Sequence, residues 1–456
     1  MARARQGGRG GAPQAPPVDP KYNWSKTPTV VGTRVKRMDG PDKVSGKAKY
    51  TFDVSRPGML YGRIVRSPYP HAKVVSVDLS GAQGVRGFKT ALIVRDPKDD
   101  KTNVVMYQGD EVAAVAADTE EHAIDAARAV KVQYEVLPAV INVDSALAGR
   151  APEVFTPGNV RQGQTQEAGD LDAGFKAAAF KLDQTYATPV ITHVCMESHG
   201  TVCEWDGDKL TAWVTTQGVN SARDNFASGL GIPQTNVRVI CQYMGGGFGS
   251  KLQLGAEGII CAKLAKQAGV PVKLMLDRKE EHLVTGNRPS AAAHIKAGVS
   301  ADGLITAFDA ESWGTGGAGQ GANFPLPYIY QMHPDAGLNR RRSHKDVFIN
   351  TGTQRPMRAP GHPQGSFIME VMMDELADLV KMDPVEFRIK NLPPEAPNAM
   401  WRSYLREGAE AFGWSKRHPT GDPTPGPIKT GMGVAIGTWG GGGRGPSKAH
   451  CEIASD

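Results

Sequence analysis

Residues 245–251, GGGFGSK, restrict what this chain can fold into more than any other stretch, because they sit where a strand must hand over to a helix. The run before them, VRVICQYM (237–244), is β-branched and largely apolar, as a buried strand is. After them, Ile259, Ile260, Ala262, Leu264 and Ala265 recur at helical spacing until Gly269 and Pro271 stop the pattern. Consecutive glycines leave backbone N–H groups uncovered, so a polar or anionic cofactor can approach the main chain. Neither common phosphate-binding signature fits. A P-loop needs Gly-Lys-Ser/Thr, and this loop continues Gly249-Ser250-Lys251-Leu252; the dinucleotide fingerprint needs a glycine where Ser250 stands. Phe248, an aromatic among glycines, implies a ring or an N–H with a specific target. A tight turn with no ligand is the competing reading.

Further segments carry chemistry in the same neighbourhood of the chain. Thr215-Thr216-Gln217 follows a strand-like run at 210–214 and precedes a helix-like stretch around Phe226 and Leu230. A glutamine amide there is a neutral donor, or else the cap of a strand end. The turn RPMRAPGHPQ (355–364) shapes itself around Gly361 and Pro363 and leads into a helix that should bury Ile368, Met372 and Leu379. Its Arg358 is a permanent cation with directional donors, or a loop arginine paired with a nearby acid. MESHG (196–200) reads as architectural, and LDRKEE (276–281) as a helix start with Asp277 as N-cap and Glu280 completing a capping box.

Taken in order, these segments resemble the molybdenum-binding subunit of the xanthine dehydrogenase/aldehyde oxidase family. GGGFGSK is similar to its GGGFGGK loop, Thr216-Gln217 to its Thr-Gln element, and 358–364 to its Arg-x-x-Gly-x-Pro-Gln turn. DKVSGKAKY (42–50) and RSPYPHA (66–72) resemble its first domain. The resemblance implies an α+β (mixed α/β) fold. Its parts would be a disordered tail (1–29), an α/β hammerhead domain (30–150), a linker (151–170), a first molybdopterin-binding domain (171–410) and the start of an incomplete second one (411–456). It implies a molybdenum–molybdopterin cofactor, with the cytosine dinucleotide as one admissible form. Gly246, Gly247, Phe248 and Gly249 would cradle that cofactor, and Gln217 and the Phe248 backbone would address ligands of the metal without any residue ligating it directly. Arg358 would stand beside the metal as the catalytic residue that stabilises developing charge. The implied activity is hydroxylation of a small molecule with water as oxygen source, electrons leaving through a [2Fe–2S] subunit and a flavin (FAD) subunit.

Two departures shape that expectation. Leu252 stands where purine hydroxylases carry a glutamate, and residues 314–330 hold no arginine where purine-specific members keep one. An aldehyde, or an aromatic or N-heterocyclic compound, is therefore the expected substrate. The family's general-base glutamate and its second cofactor-gripping loop find no counterpart in 431–456, where Glu452 stands in a strand-like run without a motif. The chain looks like the first part of the family's subunit and is expected to be inactive by itself. A non-catalytic remnant or assembly module is the alternative. Gly7-Gly8-Arg9-Gly10-Gly11 raises a remote one, an RNA-associated protein.

The remaining features set outer bounds. At 456 residues two or three domains are expected, and a net charge of +6 over that length argues little for nucleic acid or acidic membranes. The run RRRSHK (340–345) reads as a solvated loop. No stretch is apolar enough to span a bilayer and no export signal is visible, so a cytoplasmic location is the default. The five cysteines lack Cys-x-x-Cys spacing, and three of them read as buried thiols. In the first third, a strand at 112–116, a helix at 119–130 capped by Asp118 with Glu121, and a strand at 132–134 suggest a βαβ-like unit.

Overall fold

The computed structural model describes residues 29–30, 32–330, 339–393, 398–419 and 421–439. The arginine-bearing tail 1–17, the glycine run 440–443, Cys451 and Glu452 lie outside the described residues. The chain divides into two bodies, Met1–Ala48 with Trp439–Asp456, and Lys49–Thr438. The described part of the first holds a short helix, Gly40–Val44, with Pro41 in its first turn and Lys43 donating to Asp39.

The second body is built on two large sheets. The first has seven strands in the order Val237–Ile240, Lys209–Val214, Gly200–Asp206, Val272–Met275, Leu60–Arg66, Glu111–Ala117 and Phe88–Ile93. Its strands come from both sides of the expected 151–170 linker, joined where Leu60 pairs in parallel with Val272. Glu111–Ala117 is apolar almost throughout because both its faces are covered. Ala114 and Ala116 pack with Leu264, Cys261 and Phe226 on one side, and Val115 packs with Ala126 and Ala82 on the other. The helix Ala256–Ala268 lies against this sheet and ends at Gly269, whose φ of 69° supplies the left-handed cap.

The second sheet runs Val160–Gln162, Arg340–Val347, Ile305–Thr315, Ser290–Val299 and Phe180–Thr188, with Gln166–Ala168 also paired to Arg340–Val347. Ser290–Val299 alternates as a one-sided strand should: Ala291, Ala293, Ile295 and Ala297 are buried while His294 and Lys296 face out. The buried face meets the eighteen-residue helix His362–Leu379 through Ile368, Met369, Met372 and Leu376, and Leu379 is only partly buried. Among the described residues no helix is long and apolar enough to cross a membrane.

Several expectations need correction. The 340–345 run is a strand, not a solvated loop, because the neighbouring strand offers acids: Arg341 pairs with Asp309 at 2.6 Å and Lys345 with Glu311. The helix Glu120–Ala129 is capped by Thr119, whose Oγ1 accepts from His122 N at 3.1 Å, and Asp118 instead meets the His122 ring. The following strand, Lys131–Val136, joins a separate three-stranded sheet with Ala72–Asp78 and Val104–Val105, so no parallel βαβ unit forms. The strand before the glycine loop stops at Ile240 rather than Met244. The Asp277–Glu280 capping box is present as read, and Cys195, Cys203 and Cys261 are buried thiols.

Candidate cofactor cradle

The glycine loop leaves the strand Val237–Ile240 and turns back under three other segments before the helix Ala256–Ala268 begins. Its alternate glycines mark close approaches. A Cβ on Gly245 would overlap the Glu197 side chain, one on Gly247 would stand 2.6 Å from Gln217 Oε1, and one on Gly249, at φ 113°, would overlap the main-chain oxygen of Pro356. Glycine is required at these places because backbone packs on backbone or on a polar side chain. Phe248 itself has φ 53° and leaves its ring half exposed.

Four non-glycine residues among the described ones have positive φ, and three of them, Val194, Phe248 and Ala359, lie on segments that meet here. Such strain persists only where surroundings over-determine it, and it concentrates at functional sites. The surroundings do so. Phe248 O accepts from Arg358 N at 2.8 Å, joining the two strained turns. Beside them Arg288, 6% exposed, donates to Arg358 O at 2.7 Å and Ala359 O at 3.4 Å. Burial pulls the pKa of Arg288 below its ordinary value. His193 Nε2 donates to Pro356 O at 2.8 Å, and Arg355 Nη1 to Ser250 O at 3.0 Å.

The loop also decides how Gln217 points. Its Oε1 accepts from Gly249 N at 2.7 Å and Lys251 N at 3.3 Å. Two N–H donors facing one atom assign that atom as oxygen, so the NH2 group of this exposed residue is the end left without an acceptor among the described residues. Among the described residues the amides of Gly246, Gly247 and Phe248 have no hydrogen-bond partner, and the exposed Arg358 side chain meets no acid. A cavity of about 380 Å³ flanks its turn, lined among others by Arg288, Phe324, Met357, Pro360 and Gln364. That volume lies in the range that small ligands fill.

These groups fit a molybdopterin-borne metal. Neutral amide donors suit oxygen and sulfur atoms already bound to a metal because they do not compete for it. The loop's main-chain N–H groups that no described residue accepts from give such a group further donors, and a guanidinium that meets no acid among the described residues suits growing negative charge.

The structure brings Gln217, Gly246, Gly247, Phe248, Gly249 and Arg358 into one region. It also adds residues that the sequence reading left without a site role. Glu197, read as architectural, accepts from Gly245 N at 2.7 Å, and Lys251, the last residue of GGGFGSK, is buried to 1% exposure. Both lie inside motifs already singled out, so the signal was present. Arg288 had none. His199 and Glu281 meet at 2.9 Å as a buried pair; burial raises the Glu281 pKa, but its bonds to His199 outweigh that and hold it below the ordinary value.

Residues 45–138 match the aldehyde oxidase and xanthine dehydrogenase a/b hammerhead domain, and residues 154–392 the molybdopterin cofactor-binding domain. The chain is 34% identical over 434 residues to the aldehyde oxidoreductase molybdenum-binding subunit PaoC of Escherichia coli K12, covering 90% of this chain and 58% of that protein. It is 34% identical over 382 residues to the nicotinate dehydrogenase large molybdopterin subunit of Eubacterium barkeri, covering 79% of this chain and 89% of that one. Quinoline 2-oxidoreductase from Pseudomonas putida 86 has the same fold, with a TM-score of 0.73 at 23% identity over 84% of this chain and 54% of its own. The chain thus spans little more than half the length of several relatives it matches. On these matches and the cradle they coincide with, the chain belongs to the aldehyde oxidase and xanthine dehydrogenase family, with its hammerhead domain followed by its molybdopterin cofactor-binding domain.

Proposed function

We propose that this chain is the cofactor-holding part of a molybdenum hydroxylase acting on an aldehyde or an aromatic or N-heterocyclic compound, with oxygen drawn from water. The observation that carries the reading is the conjunction at the glycine loop: a Gln217 NH2 group, three main-chain N–H groups and an Arg358 guanidinium, for which the described residues offer no acceptor or acid. When bound, the molybdenum cofactor supplies a two-electron oxidant and a Lewis acid.

The chain's own residues do the rest. Gln217 Nε2 donates to acceptors on the bound group and, with the amides of Gly246, Gly247 and Phe248, fixes its orientation. Arg358 Nη atoms hold negative charge that grows on a substrate oxygen, a role whose loss costs about 10²–10³ in rate. Leu252 and Phe248, 42% and 45% exposed, present apolar surface beside the loop. A leucine cannot accept from a purine N–H, which favours aldehydes and apolar heterocycles over xanthine. Electrons leave to iron–sulfur and flavin partners, the arrangement suggested by relatives named as single molybdenum-binding subunits.

The test is Arg358→Met in the natural assembly that contains this chain. Turnover should fall about 100- to 1,000-fold with molybdenum and pterin content near normal. Loss of molybdenum together with activity would make Arg358 a cofactor-holding residue. A wild-type assembly without molybdenum would support a non-catalytic module instead.

A further inference from the structure

We propose that Glu197 and Lys251 are positioning residues of this site, a buried charge pair that clamps the two ends of the glycine loop and so sets where Gln217 and the loop amides stand. The proposal rests on the cofactor reading above for its consequence, but not for its geometry.

The geometry is a closed circuit. Glu197 Oε2 accepts from Gly245 N at 2.7 Å, which fixes the loop's entry, and from Thr215 Oγ1 at 2.9 Å. Lys251 Nζ, at the loop's exit, donates to Thr215 Oγ1 at 2.6 Å and to Glu197 O at 2.8 Å, and lies 4.0 Å from Glu197 Oε2. The Thr215 hydroxyl is thus a relay, accepting from the cation and donating to the anion. Around this circuit the main chains interlock: Glu197 N donates to Gly245 O at 3.1 Å, and Gln217 N and Thr216 Oγ1 both donate to Lys251 O, at 2.8 and 3.1 Å. Gln217 Oε1 returns the contact by accepting from Gly249 N and Lys251 N. A second acceptor on Glu197, Oε1, takes Phe52 N at 3.4 Å and ties in a segment from the hammerhead side.

Burial separates a positioning role from direct contact. Lys251 is 1% exposed and Glu197 8%, so neither is placed to touch a group lying on the loop, whereas Gln217 and Phe248 are exposed there. Burial also pulls the Lys251 pKa down while Glu197 opposes the shift. A buried pair of this kind adds little net stability compared with apolar residues of equal volume. What it supplies here is direction. Three glycines in a row have wide conformational freedom, and without anchors at both ends their amides would point to water in many ways. The other buried pair, His199 and Glu281, bonds none of the loop amides.

The experiment measures hydrogen–deuterium exchange across 244–252 in the full chain, with the urea midpoint and the pterin and molybdenum content of the natural assembly. The variants are Glu197→Gln with Lys251→Met, and separately the nearly isosteric Thr215→Val, which keeps both charges if the double variant does not fold. The bonded loop amides of Gly245, Gly249 and Lys251 should exchange at least about tenfold faster while the seven-stranded sheet keeps its protection. Pterin content should fall as well, the affinity lost on removing residues that orient a site being about 10- to 100-fold. Unchanged loop exchange in Thr215→Val and the double variant overturns the clamp. So does exchange that rises equally throughout the sheet with a falling midpoint, since that marks general destabilisation. If the wild type holds no pterin, the cofactor reading fails, and loop exchange alone still decides the clamp.

Discussion

Replacing Gly249 by alanine should be among the most damaging single-methyl additions in the chain. Two costs combine there. At φ 113° an L side chain is strained, and the new Cβ would overlap the main-chain oxygen of Pro356. That oxygen cannot rotate away, because His193 Nε2 holds it at 2.8 Å and the same turn is tied back by Arg358 N to Phe248 O. Backbone strain costs about 1–3 kcal/mol and forced overpacking about as much, so a total near 4 kcal/mol is expected. Gly207 is the control. It also has positive φ, 59°, but nothing lies within 4 Å of where a Cβ would stand. Its alanine variant bears only the left-handed penalty, about 1 kcal/mol. Urea unfolding of both variants beside the wild type gives the difference, expected at about 2–4 kcal/mol once the loop's local relaxation is allowed for. Exchange at the Gly249 and Lys251 amides would show whether the strain is released locally by breaking their bonds to Gln217. Unfolding free energies agreeing within about 0.5 kcal/mol, with unchanged loop exchange, would refute the claim that Gly249 is there for close backbone approach.

Arg388 has no exposed side-chain surface and bonds Glu370 at 2.7 Å and Asp374 at 2.7 Å. Arg388→Met leaves Glu370 buried without its cation and should cost about 3–5 kcal/mol by denaturant titration, whereas Arg341→Ala on the sheet surface should cost under about 1 kcal/mol. Because the Glu281 pKa is held below its ordinary value, its contribution to stability is complete above that value and is lost as pH falls through the lowered one. Glu281→Gln should therefore flatten the acid side of the stability–pH curve and lower its plateau near neutrality; an unchanged slope between pH 6 and the acid limb would contradict it. Thr119→Ala should destabilise by about 1 kcal/mol and Asp118→Ala by less, and the reverse order in thermal melts would restore Asp118 as the cap.

Legibility from sequence followed the range of the interaction. The capping box at Asp277, the stop at Gly269 and the helix after Gly361 depend on residues within a few positions of one another, and each formed as read. Thr119 against Asp118 shows the resolution of that reading, since two adjacent residues can both cap and only the local dihedrals choose. The 340–345 cations were misread because Asp309 and Glu311, which neutralise them, lie some thirty positions earlier on the next strand. The same holds for the joining of Leu60–Arg66 to Val272–Met275, which local periodicity cannot encode.

By itself the sequence determined the order of the motifs and the glycine loop between a strand and a helix. These are properties of short segments, where propensity, capping and the lack of a Cβ act locally. Gln217, Phe248 and Arg358 became candidates through the family resemblance those motifs carry. Only the tertiary structure decided what grips them. Glu197 reaches Gly245 across 48 positions, Thr215 reaches Lys251 across 36, and Arg288 reaches Arg358 across 70. Such contacts follow from which faces bury together and which buried polar atoms must then find partners, and those choices are made only when the whole core closes.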